Sequence, residues 1–235
     1  MKAWDHPLIK KGMPLQLAKR RARIAAGEKP FGWKVGLGAP ATMEKIGTAA
    51  PLVSYLMHGV YLPSGATVSF RNYVKPVVEP EIAVRMGRDL GAGATAAETL
   101  AAIKEIGPAI EVVDSDLVTT ADNIDVALEG GLFQRHVVLG DKTRAGGSVA
   151  GLTSRTTRNG QVVETTTNPE ALTGKMLDVI AHVANTLAAF GEKLSAGDTI
   201  ITGSITLPQI IEAGEKGYTH ALDPIGEVTI NFVWQ

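Results

Sequence analysis

Hydrophobic positions that recur at helical spacing predict four helices, at residues 14–26, 41–46, 95–106 and 168–190. Two of them carry start signals. Thr95 and Glu98 form a capping-box pattern, in which hydroxyl and carboxylate bond to each other's backbone N–H. Asn168 offers an N-cap amide before Pro169, whose missing N–H costs nothing at the first helical position. Gly191 is expected to end the last helix.

Stretches rich in β-branched residues predict strands at 31–37, 66–70, 77–86, 109–113, 135–139, 199–202 and 228–234. Residues 153–167 alternate around Asn159-Gly160, the preferred pair for a type I′ turn, so this segment is expected to form a hairpin at a rim. The strands come in runs rather than in regular βαβ order. The pattern therefore favours the α+β class, with a strongly bent sheet or β-roll and helices packed outside it.

The length of 235 residues favours one large domain with a small extension. We expect a basic helical extension at residues 1–30 and a single catalytic domain at 31–235. The chain has no cysteine, which excludes disulfides, thiolate metal sites and a cysteine nucleophile. A reducing, cytoplasmic location is the expectation.

The charges nearly balance, with 23 basic and 24 acidic residues, so neither nucleic acid nor a membrane surface is an expected partner. No apolar run approaches the ~20 residues of a membrane span. Residues 1–35 nevertheless hold nine Lys or Arg against two acids. Two interpretations stay open: a solvated basic helix, or a basic flap that attracts an anionic substrate.

One predicted strand carries two carboxylates on the same face, because Glu79 and Glu81 are two residues apart. Such carboxylates repel each other unless one is protonated or a divalent cation lies between them. Pro80 cannot donate to a ladder, so the strand is expected at an edge or a bulge. Glu111 lies in another apolar run. Together the three favour Mg²⁺ or Mn²⁺; alternatively, the pair lines a solvated face and Glu111 is salt-bridged in the core.

Lys34 is the only charged residue of the glycine-flanked strand at 31–37. An apolar setting disfavours the ammonium form and prepares a lysine for proton transfer. The alternative is a lysine whose tip reaches water. Thr202, Gly203 and Ser204 form a small hydroxyl loop whose N–H groups and hydroxyls could hold a carboxylate, or which is a structural turn.

Seven motifs occur together in one order: Gly32-Trp-Lys-Val-Gly36, Glu79-Pro-Glu-Ile-Ala83 with Gly87-Arg-Asp-Leu90, Pro108 to Ser115, Ala121-Asp-Asn123, Asn185-Thr-Leu-Ala188, Ala196-Gly-Asp198 and Thr202-Gly-Ser204. In this order they resemble the 2-keto-4-pentenoate hydratase and 2-oxo-3-hexenedioate decarboxylase family, within the fumarylacetoacetate hydrolase superfamily. The resemblance covers roughly residues 30–235. It implies the mixed β-roll of the superfamily's C-terminal domain.

The resemblance also implies a site: Mg²⁺ or Mn²⁺ held by Glu79, Glu81 and Glu111, with Lys34 as the catalytic residue. It implies that the substrate lies beside Lys34, Asn123 and the loop of Thr202, Gly203 and Ser204. This chain departs from the family pattern after Asn123, where a longer stretch lacks the usual serine. The missing polar contact is expected from Gln134, Arg135 or His136.

The resemblance implies a divalent-metal-dependent hydratase of a 2-hydroxy-2,4-dienoate or 2-oxo acid in the degradation of aromatic compounds. Alternatives are a 2-oxo-3-hexenedioate (4-oxalocrotonate) decarboxylase, an acylpyruvase-like carbon–carbon hydrolase, and a catalytically silent oxo-acid-binding relative. A homo-oligomer is expected, and association with a pathway enzyme is left open.

Overall fold

The computed structural model describes residues 2–235. The helices are α1 (Pro7–Ala25), α2 (Pro40–Ile46), α3 (Ala96–Ala102), α4 (Ile124–Glu129) and α5 (Met176–Ala189). Short 3-10 turns lie at Ala3–Asp5 and His58–Val60. In the part of the chain that is described, no helix has the length and hydrophobicity needed to span a membrane.

Fourteen strands form two sheets in the described residues. The larger sheet has the order β2-β1-β11-β5-β6-β7-β3, with β12 beside β5 and β8 beside β6. The smaller sheet has the order β10-β9-β13-β14-β4. The bounds of the strands are β1 (Pro30–Gly36), β2 (Leu52–Met57), β3 (Tyr61–Pro63), β4 (Ala66–Ser69), β5 (Pro76–Met86), β6 (Ile103–Asp114), β7 (Gln134–Leu139), β8 (Arg144–Ala145), β9 (Thr153–Arg158), β10 (Gln161–Thr166), β11 (Thr199–Ile201), β12 (Gln209–Ile210), β13 (Gly217–Asp223) and β14 (Gly226–Val233).

The larger sheet is mixed and curls into a half-barrel, which confirms the predicted α+β class and bent sheet. Alternate residues face its inside, where Ala83, Ala109 and Ile201 meet in a small apolar cluster. The outward residues make two larger cores. One packs the sheet against the helices, through residues such as Val84 and Ile180, and the other packs it against the smaller sheet.

Several predicted elements are confirmed, and the 153–167 hairpin most clearly. Strands β9 and β10 flank Asn159 and Gly160, whose φ angles of 50° and 82° are those that a type I′ turn requires. The hairpin lies at the rim, since β10 is the outer strand of the smaller sheet. Helix α2 also matches its prediction, and ends at Gly47 in the left-handed conformation.

Two predicted helix ends were wrong. The capping box of Thr95 and Glu98 is present, but α3 stops at Ala102 rather than near Ile106. Ile103 is already extended and begins β6, because pairing with β5 and β8 engages the following residues. The first helix begins at Pro7, not at residue 14, and contains Pro14.

The predicted start of the last helix was also wrong, since α5 begins at Met176. Asn168 accepts a bond from the N–H of Glu170 at 3.3 Å, but the chain then turns rather than continuing as a helix. Gly174 has φ 104°, a conformation outside the right-handed helix. The cap of α5 comes from Glu170, whose carboxylate accepts from the Met176 N–H at 2.7 Å.

Pro80 lies inside the sheet and in regular register with β6, which corrects the prediction of an edge or a bulge. Strand β5 pairs with β6 along its length, and on its other side with β11 and β12. Pro80 falls between the registers of β11 and β12, where its carbonyl accepts from Ile205 N–H at 2.8 Å. Because N–H and C=O of one strand residue point the same way, the missing donor faces this irregular segment and no ladder bond is lost.

The basic residues of α1 are largely paired. Arg20 and Arg21 both contact Glu192, at 3.3 and 3.0 Å, and Lys11 contacts Asp125 of α4 at 2.6 Å. Met13, on the same helix, is fully buried in the main core. These contacts favour a structural role for the basic charges over a free flap. The division at residue 30 stays a prediction.

His220 joins the two sheets by buried hydrogen bonds. Its Nδ1 lies 3.0 Å from the carbonyl of Ala109 on β6, and its Nε2 lies 3.1 Å from the hydroxyl of Ser154 on β9. A carbonyl can only accept, so Nδ1 carries the proton and Nε2 accepts from the serine. Burial lowers the pKa of His220 from 6.5 to about 4, although the Ala109 carbonyl opposes this shift. The imidazole is therefore neutral in the folded protein.

We predict that the contribution of His220 to the free energy of unfolding falls as the pH drops from 6.5 to 4. In this range the histidine takes up a proton in the unfolded protein but not in the folded one. The buried neutral His220 therefore contributes about 3 kcal/mol to the free energy of unfolding at neutral pH, and this contribution is lost by pH 4. Urea unfolding at a series of pH values measures it. His220→Gln should flatten the dependence, whereas His58→Gln, at an exposed histidine, should keep it. Equal slopes in both variants would contradict the assignment.

Candidate active site

Three glutamates converge inside the curled sheet. Glu79 and Glu81 alternate along β5 with outward residues, and Glu111 of β6 is directly opposite Glu79 in the antiparallel register. Side chains at such positions are close neighbours across the pair. One carboxylate oxygen from each of the three lies within 4.8 Å of the others. The two acidic segments identified in the sequence therefore meet at one point.

The environment of these carboxylates opposes their ionisation. Glu81 and Glu111 are fully buried, and Glu79 is partly buried. Burial, followed by the charge of Glu111, raises the pKa of Glu79 to about 7. Burial also raises the pKa of Glu81 well above its usual value, with Glu111 and Glu79 adding to the effect. For Glu111 burial raises the pKa, and the Lys34 ammonium works against it.

Lys34 is the one ammonium group in contact with this cluster among the described residues. Its Nζ donates to Glu111 Oε1 at 2.5 Å and to the carbonyl of Leu132 at 3.1 Å. The residue is 1% exposed, so its tip does not reach bulk water as a surface lysine would. A single ammonium opposite three carboxylates leaves the cluster short of positive charge if all three are ionised.

The carboxylate oxygens without partners fit a cation. Glu81 Oε2 accepts from the Gly203 N–H at 2.6 Å, but Glu81 Oε1 and Glu111 Oε2 have no hydrogen-bond partner within residues 2–235. A buried acceptor without a donor is costly, and a carboxylate more so. Three carboxylates without sulfur or imidazole ligands form an oxygen-rich set, which Mg²⁺ and Mn²⁺ prefer.

The Thr202–Ser204 loop adjoins the cluster, and its hydroxyls bond within the protein. Thr202 donates to the carbonyl of Ile82 at 3.1 Å, and Ser204 donates to the carbonyl of Thr206 at 2.6 Å. The described contact of the loop with the cluster is the Gly203 N–H on Glu81. Its predicted contact with substrate stays a prediction.

Asn123 and Gln134 do not line the cavity beside the cluster. The amide of Asn123 accepts from the Thr120 N–H at 2.7 Å and donates to the Val118 carbonyl at 3.0 Å, which shapes the loop before α4. Gln134 faces a neighbouring cavity together with Arg135. Their substrate contacts also stay predictions.

A cavity of about 390 Å³ opens next to the carboxylates, a volume suited to a small molecule. Lys34 and Glu79 line it, together with apolar and hydroxyl-bearing residues and two further lysines: Gly36, Leu37, Thr42, Lys45, Lys75, Val77, Val113, Ser115, Leu117, Val118, Thr119, Leu132, Phe133, Pro208 and Ile210. The cavity thus combines charged groups with an apolar wall.

Most of these lining residues were not predicted from the sequence, among them Leu132, Phe133, Lys45 and Lys75. Leu132 and Phe133 adopt left-handed φ angles of 53° and 65°, which are rare outside glycine. The first directs its carbonyl to Lys34. The preceding Gly130-Gly131 was the one available signal of a tight turn. Lys45 and Lys75 carried no signal, because isolated lysines near a helix end or a strand start are common.

The chain belongs to the fumarylacetoacetate hydrolase C-terminal family, whose model matches residues 35–231. Among curated relatives, it is similar to a 4-oxalocrotonate decarboxylase of Pseudomonas putida, with 31% identity over 93% of this chain and 83% of the relative. A 2-hydroxyhexa-2,4-dienoate hydratase of Comamonas testosteroni is 27% identical over 97% and 88% of the two chains.

A solved relative has the same fold over most of its length. The structure of 4-oxalocrotonate decarboxylase from Pseudomonas putida G7, complexed with magnesium and adipate, superposes with a TM-score of 0.83 and 28% identity. The match covers 93% of this chain and 83% of that one. The family predicted from the sequence motifs is thereby confirmed.

We predict that Gly203→Ala destabilises the protein more than its backbone conformation alone requires. Gly203 has φ 91°, and an added Cβ would lie 2.6 Å from Thr173 Cγ2. Gly191 has φ 76° with no atom within 4 Å of such a Cβ, so it is the matched control. We expect a loss of about 1–2 kcal/mol for Gly191→Ala and roughly 2–4 kcal/mol for Gly203→Ala in urea unfolding. Equal losses would mean that the loop adapts freely.

Proposed function

We propose that this chain is a divalent-metal-dependent hydratase of 2-hydroxy-2,4-dienoates, in which Glu79, Glu81 and Glu111 hold the ion and Lys34 is the catalytic residue. The observation that carries the proposal is the cluster of three carboxylates with two unbonded oxygens beside a buried lysine. Mg²⁺ and Mn²⁺ are the ions of choice, and we expect the enzyme to act in the cytoplasm.

The reaction consists of a proton transfer followed by an addition of water. Protonation at the far end of the dienol gives an α,β-unsaturated 2-oxo acid, and water then adds at the carbon conjugated to the carbonyl. A bound divalent cation supplies Lewis acidity, which draws electron density toward the oxygen of the 2-oxo group. The residues of the chain orient the substrate and handle its protons.

Lys34 has the position needed for the proton step. Its ammonium is held between Glu111 and the Leu132 carbonyl, and Lys34 is one of the residues that line the cavity. We infer that it donates to an oxygen of a bound substrate. Leu132 and Phe133 form part of an apolar wall that limits the water beside it. The Gly203 N–H fixes one oxygen of Glu81 and leaves the other available.

Decarboxylation of a 2-oxo-3-enedioate is the second candidate. The curated relative at 31% identity and the solved relative at TM-score 0.83 are both 4-oxalocrotonate decarboxylases. The two reactions need the same electron sink and differ in which group leaves or adds. An assay that follows the loss of dienoate absorbance, the release of CO₂ and the release of pyruvate separates both from a hydrolase.

We predict that Glu81→Gln and Glu111→Gln abolish both turnover and Mn²⁺ binding while leaving the fold intact, because each removes a charged ligand. Glu105→Gln is the matched control, since Glu105 lies on the same strand as Glu111 but away from the cluster. Isothermal titration with Mn²⁺ and the absorbance assay measure the two effects. Full activity at full metal occupancy in Glu81→Gln or Glu111→Gln would refute the ligand assignment.

Lys34→Met is predicted to separate chemistry from metal binding. Its turnover should fall by about a hundredfold or more, as for loss of a general acid or base, because the proton donor is gone. Mn²⁺ binding should persist, since the three carboxylates remain. If the ion is lost together with turnover, Lys34 is a structural partner of Glu111 and not a catalytic residue.

A further inference from the structure

The charged residues of the cavity lie at two levels. Lys34 and Glu79 line its buried part, next to the carboxylate cluster. Two further lysines, Lys45 and Lys75, line the same cavity but are exposed to solvent. Apolar side chains complete the lining between these charges: Val77, Val113, Leu132 and Phe133. The cavity therefore has charged groups at its buried end, an apolar wall, and a basic mouth formed by Lys45 and Lys75.

Lys75 is connected to the cluster by the geometry of one strand. It directly precedes β5, and Lys75, Val77 and Glu79 all line the cavity at the spacing of two that places residues on one face. Lys75 lies four positions before Glu79, roughly 13 Å along an extended backbone. A ligand anchored at the cluster would therefore extend toward Lys75.

The backbone at Lys75 is fixed by a buried carboxylate. Asp114 accepts from the Lys75 N–H at 2.8 Å and from the Val74 N–H at 3.0 Å, and Arg135 holds its other oxygen at 3.2 Å. The ammonium of Lys75 itself has no carboxylate within 4.0 Å among residues 2–235. The backbone of Lys75 is thus fixed at the mouth of the cavity, while its ammonium group is available to bind an anion.

Lys45 contributes the second charge from α2. Its neighbour Ile46 is buried in the main core, and Thr42, about one turn earlier, also lines the cavity. Lys45 also lacks a carboxylate within 4.0 Å in the part of the chain that is described. Glu79, at the buried end, is the one acidic residue that lines this cavity.

We propose that Lys45 and Lys75 bind the far carboxylate of a dicarboxylic substrate, so that the preferred substrate is a 2-hydroxy-2,4-dienedioate rather than a dienoate with an apolar tail. This inference rests on the proposed function, because it takes the 2-oxo acid end to be held at the glutamate cluster. The apolar wall then contacts the unsaturated carbons, and the basic mouth neutralises the second charge.

The position of these lysines also bears on the type of reaction. In decarboxylation of a 2-oxo-3-enedioate, the bond to the far carboxylate breaks, CO₂ leaves, and the electron pair moves through the double bond to the keto oxygen, which takes up a proton. The departing group loses its negative charge on the way to the transition state. Ammonium groups that hold it stabilise the reactant more than the transition state. The two lysines therefore fit hydration, in which the far carboxylate is retained.

Binding of two unreactive ligands tests the inference without turnover. The ligands 2-oxoadipate and 2-oxohexanoate have six carbons each and differ at the far end, where one has a carboxylate and the other a methyl group. Isothermal titration at saturating Mg²⁺ should show about tenfold tighter binding of 2-oxoadipate by the wild type. Lys45→Met and Lys75→Met should each reduce this ratio, and the double variant should bring it close to one. Lys142→Met, at an exposed lysine outside the cavity, is the control and should keep it.

The outcomes separate the inference from the proposed function. A wild-type ratio near one, a ratio unchanged in the double variant, or a failure of both ligands to bind would overturn the role of the lysines. A lysine-dependent ratio in a protein that turns over no dienoate would uphold the basic mouth and refute the hydratase. The wild type should have a higher kcat/KM for 2-hydroxyhepta-2,4-dienedioate than for the analogue that ends in a methyl group. This preference should decrease in each single lysine variant and decrease further in the double variant. Stoichiometric CO₂ release from 2-oxo-3-hexenedioate, whose far carboxylate is attached to the carbon next to the conjugated double bond, would contradict the retained carboxylate.

Discussion

Repulsion among three carboxylates inside a curled sheet is the constraint on which the rest of this structure depends. Antiparallel pairing of β5 with β6 places Glu79 opposite Glu111, and the alternation of β5 turns Glu81 to the same side. The ammonium of Lys34 and the backbone N–H of Gly203 donate hydrogen bonds to these carboxylates. Two carboxylate oxygens have no hydrogen-bond partner among residues 2–235, and a doubly charged ion between them is the simplest way to balance the cluster.

Several irregular features of the larger sheet lie near this cluster. Strand β11 is short and ends at Ile201, so the chain from Thr202 onward is free to cross above Glu81. Pro80 faces this segment and loses no ladder bond there. Gly203 brings its N–H to Glu81 at a position where a side chain would collide with Thr173. The larger sheet is therefore interrupted beside the carboxylate cluster.

Much of the site follows from local rules of strands, whereas its outer part does not. The period of two was enough to place Glu79 and Glu81 together, and the Asn159-Gly160 pair fixed the hairpin turn. The end of α3 could not be predicted, because pairing of β6 with β5 and β8 overrides the helical pattern after Ala102. The cap of α5 by Glu170 depends on a turn that no helix rule describes. Local pattern thus fixed positions within single strands, and tertiary pairing decided where elements end.

The residues at the mouth of the cavity could not be predicted from the sequence, for another reason. Lys45 lies on α2 and Lys75, thirty residues later, lies directly before β5, and neither stands in an unusual local pattern. The sheet and α2 bring them to one cavity only after folding. The strained turn at Leu132 and Phe133 is likewise visible from backbone angles alone. Tertiary packing therefore decides which residues reach the mouth of the cavity, whereas strand geometry decides the positions of the three glutamates.

Anomalous diffraction from a crystal grown with Mn²⁺ is the direct test of whether the three glutamates hold a divalent cation. Data collected on both sides of the manganese absorption edge locate the ion independently of any assay. We expect one strong peak in contact with carboxylate oxygens of Glu79, Glu81 and Glu111. If the crystal is grown at a Mn²⁺ concentration that saturates the protein in solution, the absence of a peak at these three residues, or a peak elsewhere, would contradict their assignment as metal ligands.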